Sequence, residues 1–398
     1  MSKETSFENA LAFAQDLIRI PSLPGDEGAL ANRVLEEFEA LGLEEIRRDD
    51  MGNVMGVARG AGSAPPVMMS CHLDMVAEGD HDEWEYPPFD GVVAEGYLHG
   101  RGAMDIKGPL ALQTYAAAAM AGKTPGDVIV AHTVLEERGG WGMQAFVESG
   151  AVSPAAVIIG ESTRGDIATG HRGRGEIEVV IRGLAGHASA PDRARNALDL
   201  LPPVLRAIQA VNAAEGSDPV LGKATAVASG VDVRPESRNV IPDEVVVVVD
   251  WRILPGDTRE SLVGRLEPAV LREVGQIPEG FRVEVRGATE AQHTYTGQKT
   301  DRHLLTPGFL MDSAHPIIQA AARAAGKREG GGAATARPWA FATDGGWTCG
   351  VHGIPSFGFA PGEERHAHTN TERLDVEEAR WAFGRYPEIV RAVQETLV

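Results

Sequence analysis

The stretch Val67-Met68-Met69-Ser70-Cys71-His72-Leu73-Asp74 decides how this chain is read. Val67–Cys71 is a short apolar, strand-like run, and a histidine and a carboxylate follow directly behind it. In open α/β sheets ligands bind beyond the carboxyl ends of the strands. His72 and Asp74 therefore stand where such a sheet would build a site.

Working outward, two similar runs appear at Val128–Leu135 and Ala156–Gly160, with a helix predicted over Pro109–Ala121. Upstream, Phe7, Ala10, Leu11, Ala14, Leu17 and Ile18 fall at helical spacing until Pro21. Leu30, Val34, Phe38 and Leu41 repeat the pattern, with Gly42 as a stop. From about Asp312 the same alternation returns: a helix at His315–Ala325, a strand at Phe357–Ala360 and a last helix at Val376–Leu397. Alternating strands and helices predict an α/β unit with a mixed central sheet. The middle of the chain reads differently. Strands at Glu176–Ile181, Ala224–Val233, Val245–Ile253 and Phe281–Val285 interleave with helices at Ala194–Val211 and Thr258–Val274. That β-α-β-β-α-β order is the ferredoxin-like sandwich. The expected division is a discontinuous α/β domain over 1–174 and 289–398, interrupted by an inserted α+β domain over 175–288. Residues 288–311 read as an irregular connection and Gly330–Ala336 as a loop.

Composition narrows the functional classes. With 398 residues the chain is too long for one ordinary core. Lys+Arg total 37 against 57 Asp+Glu, a formal charge of −20, which would repel nucleic acid and anionic membranes. Two cysteines, Cys71 and Cys349, are too few for a disulfide framework and suit a cytoplasmic protein. The polar start, Met1–Asn9, has no apolar segment of the kind that leads secretion, and no run reaches membrane-spanning length.

Four further clusters join His72-Leu73-Asp74. They are Gly100-Arg101-Gly102-Ala103-Met104-Asp105-Ile106-Lys107-Gly108 before a helix, Glu136-Glu137 and Gly160-Glu161 after strands, and His368-Thr369-Asn370 near a strand end. Each alone has an ordinary reading. His72 would be a core histidine, Glu136-Glu137 a solvated pair, Asp105 a helix cap. Together, at one edge of a sheet, so many acids demand cations, because buried like charges are costly until something cancels them. Histidine with carboxylate suits zinc, and a shared carboxylate suits two metals.

In this order the clusters closely resemble the di-zinc amidohydrolase and peptidase family that includes acetylornithine deacetylase, succinyl-diaminopimelate desuccinylase, aminoacylase and glutamate carboxypeptidase. The resemblance runs from about residue 7 to 390. It implies a zinc-peptidase-like catalytic domain, an inserted lid and dimerisation domain, and two Zn2+ per chain, with Co2+ as a substitute. His72 and Glu161 would hold one ion, Glu137 and His368 the other, and Asp105 would bridge them. Asp74 would orient His72, and Glu136 would be the general base that takes a proton from water as it attacks an amide carbonyl. The Asp105–Ile106 peptide is a candidate for the cis form.

The inserted segment adds looser matches. Gly186-His187-Ala188-Ser189-Ala190-Pro191 resembles the family's lid motif, implying that His187 stabilises the oxyanion, in relatives from the neighbouring subunit of a homodimer. Arg238-Asn239-Val240-Ile241-Pro242 resembles a substrate loop with Asn239 as the contact. Asp250-Trp251-Arg252 resembles the place where an arginine grips a substrate carboxylate. Thr343-Asp344-Gly345-Gly346 matches a substrate-side loop only loosely. Cys71 stands where many relatives carry a small residue and is expected to point into the sheet, while His293 and His303 are expected at the surface.

A deacylase of N-acyl amino acids is the leading expectation, with a carboxypeptidase or dipeptidase as the alternative. Glutamate at 161, rather than aspartate, disfavours an aminopeptidase by the same resemblance. Outside this chemistry, a two-metal phosphoesterase lacks any phosphate-cradling glycine motif here, and an inactive binding protein would have lost a ligand or the base.

Overall fold

A computed structural model describes residues 3–328 and 331–398, so part of the Gly330–Ala336 stretch lies outside the described residues. The chain separates into two compact units. The first holds the described residues up to His171 together with Gln292–Thr300 and Leu310–Val398; the second holds Arg172–Ala291 and Asp301–Phe309.

The first unit is built on an eight-stranded mixed sheet. In spatial order its strands are Glu44–Arg48, Val54–Ala58, Gly126–Thr133, Ala64–His72, Ala156–Ile159, Ser356–Gly358, Ile167–Ala168 and Ala336–Arg337. Ala64–His72 lies between Gly126–Thr133 and Ala156–Ile159 and is parallel to both. Ser356–Gly358 extends the parallel set. From Val67 to His72 every residue is buried, as expected of a strand with both neighbours paired and helices on its faces. The helix Lys107–Met120 is buried on nearly all sides, which accounts for its run of alanines and its weak amphipathicity. Phe7–Ile18 and the C-terminal Val376–Thr396 pack around the same core through Phe13, Leu17, Tyr386 and Val390.

The second unit carries an antiparallel sheet ordered Thr225–Arg234, Glu244–Ile253, Gly173–Arg182, Arg282–Gly287. That is the ferredoxin-like strand order. In Glu244–Ile253 buried residues alternate strictly, so one face meets the helices and the other does not. Val204, Ala207, Ile208 and Val211 of one helix, and Leu262, Leu266 and Val270 of the other, fill the core against Val247, Val249 and Trp251.

Three expectations need correction. The helix expected from Ala194 begins at Leu201, after a 3-10 turn at Ala197–Leu200. Pro202 and Pro203 supply no backbone N–H and fit only the first helical turn, so they set the start. Residues 288–311 are not irregular. Thr289–His293 and Lys299–His303 form a hairpin, closed by Thr294 donating to Gln298 and by Gly297 at φ 95°. The hairpin tip belongs to the first unit, where the Tyr295 hydroxyl donates to the Gly52 carbonyl at 2.7 Å. Its return, Asp301–Phe309, clusters with the second unit, so the boundary is not a single cut near 288. His293 and His303 are exposed. Among the described residues no helix is long and apolar enough to cross a membrane.

Candidate metal centre

Three parallel strands end on one edge of the sheet, and a polar side chain closes or follows each. His72 closes Ala64–His72, Glu161 follows Ala156–Ile159, and Glu136-Glu137 follow Gly126–Thr133 after a turn at Leu135. Leu135 adopts a left-handed φ of 59°, which turns the two glutamates out of the strand direction. Gly140 closes that turn at φ 70°. A Cβ there would lie 2.5 Å from Asp344 Oδ1, so only glycine fits. Gly160 has a similar role beside Glu161: its missing Cβ would meet Cys71 Sγ at 2.3 Å. The Cys71 thiol is buried and donates to Gln113 at 3.4 Å.

Asp105 joins two groups of three. Its Oδ1 lies 3.1 Å from His72 Nε2, which is 3.2 Å from Glu161 Oε1. Its Oδ2 lies 3.2 Å from His368 Nε2, which is 3.0 Å from Glu137 Oε1. Within each triad the ligand atoms lie within 4.8 Å of one another. Asp105 therefore offers one oxygen to each group, as a bridging carboxylate must. The Asp105–Ile106 peptide is cis.

Supporting contacts set the orientation of these groups. His72 Nδ1 lies 2.9 Å from the Asp74 carbonyl, an acceptor only, so Nδ1 carries a proton and Nε2 is the ring atom turned toward Asp105 and Glu161. The Asp74 carboxylate stands further away, at 3.5 Å from Nδ1. Its closer bonds are to the backbone N–H groups of Glu136 and Glu137, both at 3.0 Å. Asp74 thus ties the glutamate turn to the histidine strand.

The electrostatics favour cations. Burial pushes the Glu161 carboxyl up to about 7, and Asp105 beside it adds to the shift. Burial likewise raises Glu136 well above the carboxylate range and raises Glu137. Asp105 is held low: burial opposes ionisation there, but hydrogen bonds from His368 and His72 outweigh it. The same contacts hold His368 up to about 10. Four acids and two histidines are thus sharing protons in a space that two divalent ions would neutralise, and the donor set fits such a pair.

Other polar residues at this site find their partners only in three dimensions. Glu372 accepts from the Met104 and Asp105 N–H groups and pairs with Arg101. Asp344 is buried, accepts from Thr133 Oγ1 at 2.8 Å, and is pushed up to about 7 by burial. Glu27, at the start of the helix Gly28–Leu41, accepts from the Leu135 N–H at 3.3 Å, and burial raises it to about 8. Arg101 and Asp344 sit inside motifs visible in the sequence; a lone Glu27 or Glu372 gives no such signal.

The profile of peptidase family M20/M25/M40 matches residues 68–390, a span that contains all five candidate ligands. The chain belongs to that family. An uncharacterized protein of Escherichia coli K12, YgeY, is 31% identical over 91% of this chain and 88% of its own. Succinyl-diaminopimelate desuccinylase of Paracoccus denitrificans is 34% identical over 62% of this chain and 68% of its own. Among solved structures, an M20 metallo-carboxypeptidase of Sulfolobus solfataricus superposes with a TM-score of 0.74 at 15% identity, covering 97% of this chain and 99% of that one. The Bacillus subtilis protein YXEP, described as a dinuclear metal binding M20 peptidase, gives 0.70 at 17%, covering 98% and 99%. As an M20 enzyme the chain is a hydrolase of amide or peptide bonds.

The remaining M20 candidates lie in the second unit and are described within it. His187 is exposed on the short strand Gly186–His187, its Nδ1 2.7 Å from Ser189 Oγ. That strand pairs with Val240–Ile241, and the Ala188 N–H donates to the Asn239 carbonyl at 3.0 Å, so His187 and Asn239 share one ribbon. Arg252 is half-buried and its Nε donates to Asp250 at 2.9 Å.

Proposed function

We propose that this chain is a two-zinc deacylase of N-acyl amino acids, with Glu136 as general base. The observation that carries the reading is the sharing of Asp105 between the His72–Glu161 and Glu137–His368 groups, in a cleft that Glu136 also lines. Mixed histidine and carboxylate ligands suit zinc, and cobalt is the natural substitute. Two such ions would act as Lewis acids and lower the pKa of water toward neutrality.

The residues of the chain supply the rest. Glu136, held by Asp74 through its backbone N–H, accepts the proton of the attacking water and returns it to the leaving nitrogen. The burial that raises its pKa suits a group that must both take and give a proton near neutral pH. His187 stabilises the oxyanion, Asn239 contacts substrate, and Arg252 takes a substrate carboxylate in a bidentate pair. The desuccinylase relatives favour a deacylase. The working form in this reading is a cytoplasmic homodimer, in keeping with two free cysteines.

Zinc-loaded protein should be screened against N-acetyl, N-succinyl and N-formyl amino acids and dipeptides. Turnover of an N-acyl amino acid is expected. Turnover of dipeptides alone would assign the chain to the carboxypeptidase or dipeptidase branch instead.

A further inference from the structure

We propose that Glu364 selects the substrate of this cleft, and that the group it selects is a cation, a primary ammonium or guanidinium carried on a short apolar chain. This rests on the amide-hydrolase reading above and adds the chemical class of the substrate.

The cleft has a volume of about 220 Å3. Once the metal ligands and Glu136 are set aside, its lining consists of Ser162, Phe341, Ala342, Ala367 and one further acid, Glu364. Glu364 opens the 3-10 turn Glu364–His366, four residues before His368. Its Oε2 is shielded from solvent and has no hydrogen-bond partner among the described residues. The basic residues on the same turn do not neutralise it: Arg365 reaches back to Glu363 at 2.9 Å, and His366 Nε2 lies 4.0 Å from Glu363.

Charge balance leads to the same group. Two divalent cations would be balanced by Asp105, Glu137, Glu161 and the Glu136 base, all in this cleft. Among the lining residues that leaves Glu364 as the carboxylate with no counter-charge. A carboxylate oxygen removed from water without a partner is destabilising, and a charged donor brought by the substrate repays most of that cost. Phe341, Ala342 and Ala367 offer apolar wall, which suits methylenes between the scissile amide and the cation. The same carboxylate repels an anionic side chain, so it selects by rejection as well as by attraction.

The test uses ornithine and norleucine, which share α-amino and carboxylate groups and differ in whether the side chain ends in ammonium or methyl. Calorimetry on zinc-loaded full-length protein should find ornithine bound roughly tenfold more tightly, the scale of one charge-assisted hydrogen bond. In Glu364→Gln the ratio should fall to about one. Both ligands are measured on the same protein, so a change in the active fraction cancels; if the variant does not fold, the wild-type ratio decides. Equal binding by wild type, or a preference that survives Glu364→Gln, overturns the proposal. N-acetylornithine and N-acetylnorleucine are assayed in parallel. Absence of turnover of both N-acetyl substrates with ornithine selectivity intact refutes the N-acetyl deacylase reading and leaves Glu364 in its role. Equal turnover with equal binding does the reverse.

Discussion

Glu372 Oε1 accepts the backbone N–H of Asp105 at 3.0 Å, so the aspartate shared by the two triads is held from behind by an acid that belongs to neither. The same oxygen takes the Met104 N–H, and Oε2 pairs with Arg101 at 2.5 Å. Arg101 in turn lies over the Trp84 ring at 5.1 Å. Arg101 and Glu372 are both almost wholly buried, so neutralising one strands the other. Glu372→Gln should therefore lower unfolding stability by about 3 kcal/mol, the scale for breaking a buried ion pair. It should also weaken metal binding about tenfold, because the Asp105 loop loses its anchor. Urea denaturation and zinc titration of the variant check both; unchanged metal affinity would reduce the pair to a stability element.

Neighbouring glutamates on one turn should behave oppositely. Glu136 is outside both ligand groups, whereas Glu137 lies 3.0 Å from His368 in the second. Glu136→Gln should keep both metals and lose about 10^3-fold in kcat, within the range for general acid–base catalysis. Glu137→Gln should lose one metal. Elemental analysis and turnover measured on the same preparations separate the two, and near-normal kcat in Glu136→Gln would remove it as the base.

What the sequence made legible follows from how each feature is encoded. Val67–His72 announces itself because a buried parallel strand is an apolar run with a polar end, and that pattern survives in one dimension. The second ferredoxin-like helix also starts on local contacts, Thr258 and Ser261 exchanging side-chain and backbone hydrogen bonds across its first turn. The hairpin at 289–303 was not legible, since its strands are mostly exposed and lack apolar alternation. Asp74 shows a different limit. Spacing placed it beside His72, but not which of its oxygens serves the histidine and which the Glu136-Glu137 turn. Glu372 is paired with Arg101 across 271 positions of sequence, a relationship with no local signature.

His132, opposite Cys71 on the neighbouring strand, gives a pH test at a residue outside both triads. It is fully buried between Thr114, whose Oγ1 lies 3.0 Å from Nε2, and the Phe38 ring. Burial pushes its pKa down to about 3 from the ordinary value of 6.5. The unfolded chain therefore binds the proton first as pH falls, so this contribution to stability is full above 6.5 and is lost progressively from there toward 3. Between pH 6.5 and 5 the loss should approach about 1.4 kcal/mol per unit. Urea denaturation of wild type and His132→Gln at pH 7 and pH 5 isolates it: the wild type should lose about 2 kcal/mol more than the variant over that interval. Parallel losses in the two proteins would show that His132 takes up a proton without penalty.

Arg252 is presented by Asp250, which also takes Arg174 Nε at 2.8 Å, so its guanidinium is oriented with donors to spare. Arg252→Ala should raise KM about tenfold or more for substrates with a free α-carboxylate and change little for the matching amides. Comparing kcat/KM on each acid and its amide makes the distinction, and equal losses on both would assign Arg252 to the packing of its own sheet.

The shared position of Asp105 predicts unequal metal losses among the ligands. It is the member common to both groups, whereas His72 and Glu161 belong to one and Glu137 and His368 to the other. Purified protein should carry up to two zinc ions per chain and lose activity to chelators, with zinc or cobalt restoring it. Glu161→Gln should empty one site and keep the other, because three ligands, Asp105, Glu137 and His368, remain in place around it. Asp105→Asn should weaken both, since an amide offers one neutral oxygen where the carboxylate offered two anionic ones. Elemental analysis before and after graded dialysis against chelator gives the count for each variant. Cobalt titrations, followed by absorption, give the affinities without reference to turnover. If Asp105→Asn loses one ion and keeps the other at wild-type affinity, the bridge is refuted and the two groups hold their metals independently.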